Sequence, residues 1–152
     1  MVRLSDESAG MREVLERMHC PRFETRPWVS GPPVSERRVA LITSAALQRP
    51  GDRPFTFRET DYRVIPQSAG RDLLMSHTST NFDRTGFAED LNVIFPLDRL
   101  EELAAAGAIG SVADYHYSFM GAAVPLALEA TGGAIAELFH GDAVDACVLV
   151  PV

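Results

Sequence analysis

The chain has 152 residues, 46% of them hydrophobic and 23% charged, a composition that suits a single globular domain with a buried core. Its formal net charge of -7 excludes a nucleic-acid-binding protein that relies on a basic face, because phosphate contacts require clustered positive charge.

The basic and sulfur-containing residues exclude several chemistries. All 14 basic residues are arginine, which excludes a Schiff-base lysine, a pyridoxal-phosphate anchor and a phosphate-loop lysine. The two cysteines, Cys20 and Cys147, have neither zinc-site spacing nor the pattern of a disulfide framework. The N-terminus is too charged for a signal peptide, and no apolar run has membrane-spanning length. We therefore expect a cytoplasmic protein without a membrane segment.

The first 37 residues predict a helix followed by an extended arm. Apolar residues recur at helical spacing over residues 6–19, with Ser5 or Asp6 in position to cap the helix. The following segment, "CPRFETRPWVSGPPVSERR", contains four prolines, which disfavour a regular element. We expect residues 1–37 to form this helix and proline-rich arm, and residues 38–152 to form an α/β domain, so that the chain is effectively one domain.

Apolar strands and helices alternate from Arg38 onward. The segment "RVALITSAAL" is a continuous apolar run followed by small polar residues, which is typical of a buried parallel strand that enters a loop. Residues 47–60 predict an exposed loop, and "DYRVIP" and "RDLLMSH" predict two short strands. The segment "LDRLEELAAAG" predicts an amphipathic helix that ends at Gly107.

The C-terminal third predicts a short strand or a turn near residues 108–112, a helix over residues 125–140 interrupted by Gly132-Gly133, and a final strand over residues 144–150. This alternation favours an α/β fold with an open, mainly parallel sheet flanked by helices in a Rossmann-like three-layer arrangement. An apolar strand such as "DACVLVPV" is ordinarily followed by a covering helix. We therefore expect a fold incomplete at its C-terminus, exposed apolar surface along the last strand and a homo-oligomer.

The densest group of polar side chains lies in "SHTSTNFDRTGFAEDLN", residues 76–92, where a predicted strand ends. In open α/β sheets, the carboxyl ends of the strands line the ligand crevice. His77, Asn81 and Asp83 are therefore candidates for a general base, a hydrogen-bond donor and an orienting carboxylate. In the structural alternative, Asp83 caps a turn and His77 lies in a loop that satisfies its hydrogen bonds.

Two further segments carry candidate side chains. In "DYHYSFMG", His116 and Tyr117 could surround a small polar substrate, or they could form an aromatic edge of the core. In "DYRVIP", Arg63 could bind a substrate carboxylate, or it could form an ion pair with Asp61 or Glu59. No metal-ligand spacing accompanies the histidines, and we expect no metal site. We interpret Cys147, inside the last strand, as a small, buried and inert side chain with a raised thiol pKa.

Six segments, in this order, resemble the selenoprotein B family of the glycine, sarcosine, betaine and D-proline reductases: "VALITSAAL", "DYRVIP", "DLLMSHTSTNFD", "DLNVIFPLDRLEELAAAGAIG", "HYSFMG" and "VDACVLVPV". In that family, the strand that resembles "ACVLVPV" leads directly into a redox-active selenocysteine or cysteine. The resemblance implies that this residue lies immediately after Val152, and that the 152-residue chain contains no catalytic residue and is inactive alone. Because an ordinary host reads the selenocysteine codon UGA as a stop, we expect Val152 to mark such a stop.

The resemblance also implies a reaction. Members of the family are oxidoreductases in which a selenol or thiol takes part in cleaving a C–N bond next to a carboxylate. It further implies an amino-acid-like substrate and a pyruvoyl group on a partner subunit. The candidates to line the substrate crevice are then Arg63, His77, Asn81, Asp83, His116 and Tyr117.

Two other functions stay open at this stage. One is a non-catalytic small α/β protein that binds a ligand or a partner without redox chemistry. The other is a small hydrolase that uses His77 with Asp83, although no GxSxG motif accompanies that pair. The residue encoded directly after Val152 distinguishes the reductase from the binding protein.

Overall fold

The central element of the fold is the strand β1, Arg38–Thr43. In this computed structural model, which describes residues 3–18, 21–69, 71–79 and 84–152, Val39, Ala40, Leu41 and Thr43 of β1 are buried. Burial on both faces is typical of the middle strand of a parallel sheet. The continuous apolar run in the sequence predicted this strand correctly.

Six further strands follow in the described residues: β2 Leu47–Gln48, β3 Tyr62–Pro66, β4 Leu74–Met75, β5 Ser111–Val112, β6 Tyr115–Phe119 and β7 Ala146–Val150. The α-helices are α1 Ala9–Arg17, α2 Thr85–Glu89, α3 Leu97–Ala105 and α4 Glu129–Gly141. Single 3-10 turns occupy Leu4–Asp6, Val34–Glu36, Gln67–Ala69, Leu91–Val93 and Pro125–Leu128.

The main sheet is built around β1. Strand β7 pairs with it in parallel from Val39 to Thr43 and occupies one of its edges. Strands β5 and β6 share the other edge, also in parallel, with β5 at the start of β1 and β6 at its end. Strand β3 pairs antiparallel with β6, and β2 and β4 form a separate antiparallel pair. The sheet is therefore mixed but mostly parallel.

Helix α3 covers one face of this sheet. Its residues Leu97 and Leu100 are buried in the same cluster as Leu41 of β1 and Ile65 of β3. Gly107 follows the helix with a φ of 70°, a left-handed conformation that glycine adopts without a steric penalty. The leucine spacing and the glycine stop predicted this helix and its end correctly.

Helix α4 covers the opposite face. Ile135 is buried, and the ring of Phe139 meets the ring of Tyr117 on β6 at a centroid distance of 5.3 Å. Helices on both faces of a mostly parallel sheet confirm the α/β class. The expected interruption at Gly132-Gly133 was wrong, because α4 continues through both residues. Glycine lowers helix propensity by only about 1 kcal/mol, which packing against the sheet readily offsets.

Three other sequence expectations need correction. Residues 47–60 are not an exposed loop throughout, because Leu47 and Gln48 form β2 and are buried, as is Phe55. The first helix begins at Ala9 and is capped by Ser8, whose hydroxyl accepts a hydrogen bond from Met11 N at 3.3 Å, rather than by Ser5 or Asp6. Cys147 is exposed, not buried. It lies on β7, which pairs only with β1 among the described strands, although the surrounding protein atoms still raise its thiol pKa by desolvation.

Strand β7 presents apolar side chains to solvent. Leu149 is 66% exposed and Val148 is 39% exposed, and the two residues point to opposite faces because side chains alternate along a strand. Within the described parts of the chain, none of the helices combines the length and the apolar character needed to cross a membrane.

Candidate functional site

The site begins where β1 ends, at a sharp turn through Ser44, Ala45 and Ala46. Ala46 has a φ of 53°, a left-handed conformation that is uncommon for alanine. All three residues are buried, and Thr43 Oγ1 accepts a hydrogen bond from Ala45 N at 3.2 Å. Such local strain is frequent at functional sites and persists only where surrounding contacts hold it.

Backbone hydrogen bonds hold this turn against two other strand ends. Ala46 N donates to Phe119 O at 3.0 Å, and Ala46 O accepts from Ser76 N at 3.0 Å. Gly121 N donates to Ser44 O at 2.9 Å. The residues that follow β4 and β6 therefore meet at the carboxyl end of β1, which is the edge where open α/β sheets bind ligands.

The residues that follow β7 reach the same place. Ser44 N donates to Val150 O at 3.1 Å, and Val152 N donates to Ser44 Oγ at 2.8 Å. The Ser44 hydroxyl in turn donates to Val152 O at 3.3 Å. Ser44 therefore joins the backbone after β7 to the backbone after β6. We name Ser44, His77, Gly121 and Val152 the carboxyl-edge site.

His77 supplies an imidazole to this site. Its side chain is 6% exposed, and its Nδ1 accepts a hydrogen bond from Ser79 N at 3.1 Å. In the neutral ring the proton is then on Nε2. A Cβ atom on Gly121 would lie 3.1 Å from this Nε2 and 2.9 Å from Ser44 O, so only glycine allows this approach without displacement.

The surroundings of His77 favour its neutral form. Burial lowers the pKa of His77 below its ordinary value, and the positive charge of Arg84 lowers it further. The Arg84 guanidinium donates to His77 O at 2.9 Å and to Ser79 O at 2.6 Å, which keeps that charge beside the ring. At neutral pH, His77 can therefore donate from Nε2 to an anion or to a carbonyl oxygen.

Arg63 lies outside the carboxyl-edge site. Its guanidinium pairs with Glu59 at 2.8 Å, donates to Arg53 O at 2.9 Å and lies 4.2 Å from the ring centroid of Phe55. Although burial favours protonated Glu59, the hydrogen bond from Arg63 and those from Thr56 hold the Glu59 pKa below its ordinary value. The structure thus favours the ion-pair alternative for Arg63.

His116 and Tyr117 are adjacent on β6 and point to opposite faces of the sheet. His116 is fully buried beneath α3, where its Nδ1 accepts from Leu41 N at 3.0 Å and its ring meets Phe95 edge-on. Tyr117 lies beneath α4, against Phe139. The two side chains therefore do not line one common pocket, since the cavity that contains Tyr117 is not lined by His116.

Asn81 and Asp83 lie outside the described residues, and their place in the crevice stays a prediction, as do the catalytic roles of the other candidates. Among the residues that the structure does describe, no group of three or more His, Cys, Asp or Glu side chains is arranged to hold a metal ion. Sequence reasoning missed Ser44, although the small polar residues after the apolar run of β1 marked the end of a central strand.

Comparison with known proteins identifies the family. The family model for the glycine/sarcosine/betaine reductase selenoprotein B matches residues 32–152, about four-fifths of the chain. The chain belongs to this selenoprotein B family. The match covers β1 to β7 and with them the whole carboxyl-edge site.

A curated relative agrees with this assignment. The D-proline reductase subunit gamma of Acetoanaerobium sticklandii is 33% identical over 120 residues, which cover 76% of this chain and 49% of the relative. The chain therefore spans about half the length of the curated relative it matches. No solved structure gives a significant match.

Replacing Gly121 with alanine tests the close approach of His77 to the end of β6. The new methyl group would force His77 or the turn to move, and we expect a loss of about 1–3 kcal/mol in the free energy of unfolding. NMR spectra should show displaced imidazole resonances of His77. Gly10→Ala is the matched control, because a Cβ atom at Gly10 meets nothing within 4 Å. An unchanged His77 spectrum in Gly121→Ala would contradict the geometry.

His116 should make the stability depend on pH. Burial lowers the pKa of His116 to about 4, so the folded state resists protonation that the unfolded chain accepts near pH 6.5. The free energy of unfolding should therefore fall as the pH decreases from 6.5 to 4, by at most about 3 kcal/mol from this residue. Denaturant titrations across that range measure the slope.

Two variants separate the contribution of His116. His116→Gln keeps a hydrogen-bond acceptor for Leu41 N but cannot titrate, and it should reduce the slope without abolishing it, because the lowered pKa of His77 acts in the same direction. Leu126→Gln, which introduces the same side chain at an exposed position without a titratable group, should leave the slope unchanged. An unaltered slope in His116→Gln would show that this histidine does not titrate as described.

Proposed function

We propose that this chain forms the substrate-facing part of a selenol- or thiol-dependent oxidoreductase subunit that cleaves a C–N bond next to a carboxylate. One observation carries the proposal: the chain segments after β1, β4, β6 and β7 converge on Ser44, His77, Gly121 and Val152 within the region that matches the family. The edge of the sheet where they meet is the usual ligand-binding edge of this fold class.

The redox residue of this proposal is a selenocysteine or cysteine directly after Val152, where the resemblance to the family puts it. One observation and one general argument support that position. The backbone of Val152 is held by Ser44, on the same edge as the Nε2 of His77. The general argument concerns the helix that, by the resemblance to the family, follows the redox residue, since a helix N-terminus stabilises an anionic chalcogen.

The neutral imidazole of His77 has a defined part in this proposal. Its Nε2 proton can donate a hydrogen bond to a selenolate, to a thiolate or to the carboxylate of the substrate, and each interaction favours the anionic partner. Ser44 and Gly121 have positioning parts, because Ser44 fixes the backbone after β7 and Gly121 leaves room for the imidazole. These 152 residues contain no lysine, so none of them can form a Schiff base with a substrate.

The name of the curated relative supports a proposal about partner subunits. The curated relative is named as a subunit, gamma, of D-proline reductase, and we propose that this chain also works with partner subunits, one of which carries a pyruvoyl group. We further propose an amino-acid-like substrate, a cytoplasmic location and self-association. The exposed apolar residues Val148 and Leu149 on β7 support an additional contact along that strand.

The coding sequence gives the quickest test. An in-frame UGA or cysteine codon directly after the codon of Val152, followed by a Cys-His pair, is expected. A UAA or UAG codon at that place would refute the proposed position of the redox residue.

Activity of the longer protein tests the reaction itself. The chain is produced through its downstream coding sequence, with selenocysteine or cysteine after Val152, together with its partner subunits. Glycine, sarcosine, betaine and D-proline are each assayed for substrate-dependent oxidation of dithiothreitol. One of the four should be reduced. Replacing the redox residue with alanine should abolish turnover, and His77→Gln should lower kcat by about tenfold or more.

His140→Gln, at an exposed position on α4, is the control for His77→Gln and should retain full activity. Turnover that survives alanine at the redox position would refute redox catalysis at this site. A well-folded, thiol-bearing protein that reduces none of the four compounds would favour a binding protein without redox chemistry.

A further inference from the structure

A cavity lies away from the carboxyl-edge site, near the start of β6 and the C-terminal end of α4. It has a volume of about 430 Å³ and separates β3 and β6 from the end of α4, which is a typical size for a small-molecule site. Six of the side chains that line it are Val64, Tyr115, Tyr117, Glu137, Leu138 and Asp142. Tyr117, which also lines the cavity, lies four residues before Gly121, so about 13 Å of chain separates this cavity from the carboxyl-edge site.

The wall of this cavity is negatively charged. Asp114, Glu137 and Asp142 contribute three carboxylates, and the C-terminal carbonyl groups of α4 add the negative end of the helix dipole. Arg38 is the nearby cation, and its guanidinium is already bound to Asp142 at 2.5 Å and to Asp114 at 3.1 Å. One positive charge therefore faces three negative ones.

Asp142 gives this wall a fixed geometry. Its side chain is 12% exposed, and its Oδ2 accepts hydrogen bonds from Asp114 N at 3.0 Å and from Tyr115 N at 3.3 Å. These bonds join the end of α4 to the start of β6. The Asp142 carboxylate is therefore held in place before any ligand arrives, which reduces the entropic cost of binding at this part of the wall.

The hydroxyl of Tyr117 is available to an occupant of the cavity. Tyr117 is 2% exposed, and its ring is held between Tyr62, at a centroid distance of 6.1 Å, and Phe139, at 5.3 Å. Among the described residues, the hydroxyl is not one of the polar atoms that are both shielded from solvent and without a hydrogen-bond partner. Because the rest of the side chain is enclosed, the hydroxyl is accessible from the cavity that Tyr117 lines, where it can donate a hydrogen bond to an occupant or accept one from it.

The remaining walls suit an alkyl chain. Val64 and Leu138 are apolar, and Tyr115, which is 46% exposed, offers an aromatic face that attracts cations. We propose that this cavity binds a small aliphatic amine in its ammonium form. The ammonium group contacts the carboxylates of Asp114 and Glu137 and donates to the Tyr117 hydroxyl, while the alkyl chain lies against Val64 and Leu138.

This site is independent of the redox chemistry proposed at the other edge, and it can be tested on the 152-residue chain. The probe is n-butylamine, titrated at pH 7 and low ionic strength while backbone amide resonances are followed by NMR. Saturable shifts are expected at residues 114–117 and 137–142. The uncharged n-butanol should bind about tenfold more weakly or not at all, because it lacks the charge-assisted hydrogen bonds.

Single-atom variants locate the ammonium group. Tyr117→Phe removes only the hydroxyl, and Glu137→Gln removes one charge, so each should raise the Kd for n-butylamine about threefold to tenfold without lowering the Tm. Glu129→Gln is the matched control, because it makes the same charge change at the other end of α4. It should leave the Kd unchanged.

Three outcomes would overturn the proposal: no saturable shift with n-butylamine, equal binding of n-butanol, or Tyr117→Phe and Glu137→Gln variants that bind like Glu129→Gln. A titration with Nα-acetyl-lysine amide distinguishes two sources of the same cation. Binding of n-butylamine alone would support a free small amine. Binding of both probes would support an ammonium site that also accepts a lysine side chain from a partner protein.

Discussion

Strand β1 forms backbone hydrogen bonds along both of its edges, and this pairing sets the positions of the neighbouring strands. Strands β5, β6 and β7 all pair with β1, and only β3 joins the main sheet through another strand. The chain leaves β1 by a turn at Ser44, and Ala46 adopts its left-handed conformation there. The carboxyl-edge site forms at this turn, where backbone hydrogen bonds join it to the residues after β4, β6 and β7.

The two ends of the parallel strands differ in the polar groups that they bring together. At the carboxyl edge, backbone amides, a serine hydroxyl and a neutral imidazole meet, which suits an anion. At the amino edge, the end of α4 and the residues that precede β6 and β7 bring acidic side chains together around Arg38. One sheet therefore presents donors at one end and acceptors at the other.

Much of this fold could be predicted from the sequence. The continuous apolar run of β1 and the leucine spacing of α3 depend on local periodicity, which a single sequence carries. The antiparallel direction of β3 could not be predicted, because a short apolar run does not record its partner. The exposure of Cys147 was missed for a related reason, since burial of an apolar strand depends on which elements cover it.

The site was harder to predict than the fold. Sequence proximity grouped His116 with Tyr117, although alternation along a strand sends them to opposite faces. By residue type, Arg63 was a reasonable ligand for a substrate carboxylate, but in the structure it forms an ion pair with Glu59, four residues earlier. Ser44 and Gly121 became significant only through long-range contacts, which join residues that are far apart in the chain.

The acidity of a thiol placed directly after Val152 measures whether His77 and Ser44 favour an anion at this position. The measurement is the pH dependence of thiol alkylation in the longer protein with cysteine at that position. We expect a thiol pKa below the ordinary value of about 8.5, and a higher pKa in the His77→Phe variant. A thiol pKa at or above the ordinary value that does not respond to His77→Phe would contradict the account.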